Sequence, residues 1–160
     1  MTKSTTATGQ DLAKAAAPIL TLDDFASQDT ADIQIIPPGF PRAIGSITFY
    51  GPSHPKSLAV SDEAVRKARF EAAKRATNNR YQPPEKTMEE ISDENATSII
   101  RRIAGWHIVR KGPDGVVAEV PFTEDAAKLL LLDPRFDWLF GACINFLGSQ
   151  ANFIATSAIG

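Results

Sequence analysis

Residues Pro121 to Phe153, PFTEDAAKLLLLDPRFDWLFGACINFLGSQANF, hold much of the chain's aromatic and long aliphatic side chain, and they predict two consecutive helices. Thr123 is placed to cap the first, with Glu124 and Asp125 in the opening turn, where the helix dipole favours negative charge. Ala126, Ala127, Leu129, Leu130 and Leu131 supply its apolar body. Asp133-Pro134 ends that helix and starts another, because proline suits a first helical position whose N–H has no partner. From Phe136 the spacing is helical: Phe136, Leu139, Phe140, Cys143, Ile144 and Leu147 form one stripe, widened by Trp138, Ala142 and Phe146. One neighbouring helix cannot cover so wide an arc. It is either the centre of the core or, in part, a surface for a partner.

A chain of 160 residues is expected to form one domain and to bury roughly 70% of its unfolded surface, enough to fold without staples. The expected organisation is a flexible N-terminal arm over residues 1–20, a single α+β domain over 21–154 and a short tail over 155–160. The opening MTKSTTATGQ is Thr/Ser-rich and aperiodic, and no signal peptide is expected, since no basic segment precedes a continuous apolar core. No run approaches the roughly 18–20 apolar residues of a membrane span. With one cysteine, Cys143, the chain has no internal disulfide, which fits a reducing compartment and a cytoplasmic location.

Asp32 to Ile36 and Ala43 to Tyr50 predict a first antiparallel hairpin across a loop rich in proline and glycine. Ser61 to Arg80 predicts a helix capped by Ser61, with a thin apolar line of Val65, Ala68, Ala72 and Ala76 among basic residues. Its small alanines place it on the surface or against another close-packed helix. Thr87 to Trp106 predicts the next helix, opened by the capping box Thr87–Glu90, with Ile99, Ile103 and Trp106 on its apolar side. Trp106 to Arg110 and Val116 to Val120 predict a second hairpin about Gly112-Pro113-Asp114-Gly115. The order ββ–α–α–ββ–αα defines an α+β fold with two short antiparallel hairpins and about four helices, the C-terminal pair at the core.

Catalysis needs convergent polar groups, and the sequence offers few. His54 lies in the proline-rich GPSHP, His107 at a strand start and Cys143 on an apolar helix face, so no metal-ligand spacing or nucleophile–base pair emerges. No glycine loop is followed by the lysine–hydroxyl pair of a phosphate site. No enzyme activity, cofactor or metal is expected. The basic side chains of the Ser61–Arg80 helix suit phosphates, but the net charge of −2 and the acids of that helix disfavour nucleic acid. Protein binding through Phe136, Trp138, Leu139, Phe140 and Phe146 is the remaining candidate, and core packing explains the same residues equally well.

Several strings resemble the tail assembly chaperones of long-tailed bacteriophages and prophages. They are the early LDDF, the strand ending ITFYGP, the charged helix VRKARFEAAKR, IAGWHIV before a glycine turn, VPFTEDAAKLLLLDPRFDWL and the closing INFLGSQANF. The most specific are Gly105-Trp106, Pro121 to Glu124, Asp133-Pro134 and Ala151-Asn152-Phe153. The long Thr/Ser/Ala-rich start and the proline-rich Ile36–Arg42 segment depart from the family pattern. The resemblance implies a non-enzymatic protein of the bacterial host cytoplasm that holds the tape measure protein before the tail tube polymerises around it. The tail tube protein is a second candidate partner, and self-association stays open. A structural virion subunit, of the tail or the head-tail connector, is the competing reading, and a DNA-binding regulator stands behind both.

Overall fold

The structure is a computed structural model and describes residues 19–154; most of the expected arm over residues 1–20, and the tail over 155–160, lie outside the described residues. Four strands form one antiparallel sheet in the order β1-β2-β3-β4: β1 is Thr30–Gln34, β2 Gly45–Tyr50, β3 Ile103–Lys111 and β4 Val117–Glu119. Four helices complete the α+β fold, α1 over Pro55–Thr77, α2 over Met88–Ile100, α3 over Glu124–Leu131 and α4 over Asp137–Gly148. The two expected hairpins are present, and β2 joins them by pairing with β3, so that Ile47 lies opposite Trp106.

One face of the sheet is apolar and carries the core. Ile47 and Phe49 of β2 are fully buried, alternating with Thr48 and Tyr50 on the other face, as a period of two requires. On β3 the register shifts opposite Thr48 and Phe49: Gly105 pairs with Thr48 but Ile103 with Phe49. That extra residue changes the strand's phase, which brings Ile103 to the same buried face as Ile108. Against this face pack Ala96, Ile99 and Ile100 of α2, Ala127, Leu130 and Leu131 of α3, and Leu139 and Cys143 of α4. The C-terminal helix pair therefore does form part of the core. The chain closes on the other end of the sheet, where Phe153 is buried and the Gln28 amide donates to the Phe153 carbonyl at 2.6 Å.

Local chemistry explains most boundaries, and three expected ones are corrected. The Thr87–Glu90 box forms in both directions, at 3.2 and 2.8 Å, and the Thr123 hydroxyl accepts from the Ala126 amide at 3.0 Å. Ser61, however, does not cap α1. The helix starts at Pro55, after His54, whose Nδ1 accepts from the Lys56 amide at 3.2 Å, and Ser61 is interior, its hydroxyl donating to the Ser57 carbonyl. Nor does α2 extend to Trp106. It stops at Ile100, because Ile103 and Trp106 belong to the ladder with β2, where pairing overrides a spacing that also fits a helix. The last helix likewise begins at Asp137, with Pro134–Phe136 forming a single 3-10 turn before it.

Candidate protein-binding groove

Where the β1–β2 hairpin meets the start of α4, the sheet and the helices do not close over one another. They leave a groove of about 320 Å³ with an apolar lining. Its sheet wall is Ile35, Ile44, Ile108 and Val109; its helical wall is Leu130, Phe136, Trp138 and Leu139; Arg110 and Lys111 stand beside it. Ile44 is held at the lip by the chain's own hydrogen bonds: its amide donates to the Ile35 carbonyl, and the Ile35 amide to the Gly45 carbonyl, both at 2.8 Å. Gly45 permits the close approach of β2 to β3, for a Cβ there would stand 2.5 Å from the His107 carbonyl oxygen. Ile44 is 54% exposed and Val109 40%, a large apolar area to leave in water.

The opposite wall is set by the turn before α4. Asp133 accepts from the Arg135 amide at 3.0 Å and from its guanidinium at 2.7 to 3.1 Å, which fixes the 3-10 turn over Pro134–Phe136. The side-chain and backbone hydrogen bonds from Arg135 lower the Asp133 carboxyl to about 2. Two guanidiniums lie over Phe136, that of Arg110 at 5.4 Å and that of Arg135 at 5.8 Å from its ring centre. The groove is thus apolar at its base and cationic at one rim.

Of the residues singled out from sequence, Phe136, Trp138 and Leu139 line this groove, with Leu139 at its floor and only 3% exposed. Phe140 faces a different depression, beside Ser92, Leu132 and Asp137. Phe146 is stacked on Phe49 at 5.7 Å and meets the edge of Phe153 at 5.4 Å, so it serves the core in this conformation. Sequence reasoning missed Ile44, Ile108 and Val109. Each looks like ordinary strand residue until the two hairpins pair and the helices stop short of them.

Neither histidine is placed for chemistry with Cys143. His54 caps α1 and stacks on Tyr50 at 4.2 Å, while His107 lies 3.0 Å from the Glu119 carboxylate on the open sheet face. Cys143 is fully buried, and that burial pushes its thiol up to about 12, far from a reactive thiolate. Among the described residues no group of three or more His, Cys, Asp or Glu could hold a metal ion, and no helix is long and apolar enough to cross a membrane. Comparisons with protein-family models, curated proteins and solved structures gave no match.

Proposed function

We propose that the protein is a tail assembly chaperone, without catalytic activity, that receives apolar side chains of a helical tape measure protein in the groove between Ile44 and Phe136. The groove is the observation that carries the reading, since it joins exposed apolar lining to a rim of Arg110 and Lys111 that suits carboxylates on an amphipathic helix. The sequence strings quoted above support the same role. Asp133-Pro134, among the most specific of them, builds the turn that orients Phe136.

Magnitudes favour a reversible hold. Burying one Leu-sized side chain contributes about 1.5–3 kcal/mol, and a groove of about 320 Å³ takes few such side chains. A single contact of this size gives weak binding, and a long helical client would offer many similar segments in turn. A chaperone that must release its client when the tube forms needs this kind of affinity.

Co-expression with a tape measure protein as client tests the proposal. The expected result is that the client stays soluble and that the pair is recovered by pull-down at both low and high salt, because apolar burial is not screened. Recovery of the protein in purified virions, without client binding at either salt, supports a structural virion subunit instead. Retention on DNA that falls steeply with salt supports the regulator.

A further inference from the structure

Helix α1 is 23 residues long, about 34 Å at 1.5 Å per residue, yet only Ser57 and Val60 of it are buried. From Ser61 to Thr77 every residue but Glu71 and Lys74 is exposed. The body holds it along one edge by polar contacts. Ser57 donates to the Tyr50 carbonyl, Arg102 donates to the Ser61 hydroxyl at 3.1 Å, Arg101 pairs with Glu63 at 2.6 Å and Lys67 pairs with Glu94 at 3.1 Å. Val60, Lys67 and Lys74 thus mark the inner side at seven-residue spacing, Lys74 lying over the Tyr81 ring at 5.2 Å.

The helical period places Leu58, Asp62, Val65, Arg69, Ala72 and Ala76 on the outer side, spaced alternately four and three apart. That is a heptad seam facing solvent. Leu58 and Val65 are each 47% exposed, and the small Ala72 and Ala76 allow another helix to approach closely. The seam is interrupted by Asp62 and Arg69 and flanked by Arg66 and Arg75, and these charges are mostly unanswered: Arg66, Arg69 and Arg75 have no ion pair among the described residues, against the single carboxylate of Asp62. Two copies of this face would set arginines against arginines. Nucleic acid would use the arginines but leave the apolar seam bare.

We propose that the outer face of α1 is a docking site for an acidic amphipathic helix of another protein, paired along Leu58, Val65, Ala72 and Ala76, its carboxylates meeting Arg66, Arg69 and Arg75. The proposal goes beyond the groove reading and shares no residue with it, so either stands if the other fails. The probe is a labelled synthetic peptide about four heptads long, with leucine and alanine at its seam and glutamate on both flanks, titrated with the full-length protein. The expected result is saturable binding that Val65→Glu with Ala72→Glu weakens by at least roughly tenfold, at an unchanged melting temperature. Arg69→Glu with Arg75→Glu should weaken it comparably and remove much of its salt dependence. Four results would overturn the proposal: no binding, equal binding by a scrambled peptide of the same composition, displacement of the peptide by duplex DNA, or a wild-type dimer that Val65→Glu with Ala72→Glu dissociates.

Discussion

At Asp133 a cap and an ion pair meet in one carboxylate, which gives the site a pH signature. Its pKa falls from 3.8 to about 2 through its hydrogen bonds with Arg135. The folded-state value is depressed, so the contribution to stability is present above the unfolded value and is lost as pH falls through the folded one. Asp133→Asn should lower the melting temperature at neutral pH, and thermal scans should show the gap to wild type closing between pH of about 4 and about 2. A gap unchanged at low pH would mean that the ion pair contributes nothing. Phe49 tests the core, since it is fully buried under the Phe146 ring. Phe49→Ala should cost about 3–5 kcal/mol in denaturant unfolding. Gly51 tests backbone approach, because a Cβ there would overlap the Gln28 carbonyl oxygen that lies against it. Gly51→Ala should destabilise despite alanine's ordinary tolerance in loops, and an unmoved melting temperature would show that this approach can relax.

At the scale of elements, stability is unevenly shared. β2 is paired on both sides and lies under the core, whereas the second half of α1 buries no residue and is held by surface contacts, Lys67 with Glu94 and Glu71 and Lys74 with Tyr81. Hydrogen exchange should therefore find the slowest amides in β2 and β3 and fast ones over residues 66–77 of α1. Equal protection in α1 would mean that a contact covers it in solution. The same contrast explains what the sequence could and could not tell. Capping chemistry is local, so the starts of α2 and α3 and the Gly112–Gly115 turn were readable directly. The start of α1 was not, because GPSHP punctuates like a loop while Pro55 in fact opens a helix that His54 caps. Ile103 and Trp106 kept helical spacing with Ile99 but were claimed by a partner strand far away in sequence. Part of the groove was legible for the same reason: Phe136, Trp138 and Leu139 lie close together in sequence, whereas Ile44 and Val109 reach it only through the pairing of two hairpins.

At the scale of the whole molecule, the described residues keep their charged groups outside, and their uncovered apolar surfaces include a groove at the open end of the sheet and a seam along α1. Apart from Asp133–Arg135, the salt bridges join exposed or partly exposed groups, and pairs of that kind contribute little each. What holds the fold is the single apolar layer between the sheet and α2, α3 and α4. The groove lies at the margin of that layer, so its lip can be altered without opening the core. Ile44→Glu and Val109→Glu both change exposed side chains and should leave the melting temperature close to wild type. The decisive measurement is the affinity of the wild type and these two variants for helical segments of the tape measure protein, at low and high salt. The account predicts that the wild type binds at both and that each variant loses at least roughly tenfold in affinity while remaining folded. Binding that ignores both substitutions, or no binding by the folded wild type, would contradict it.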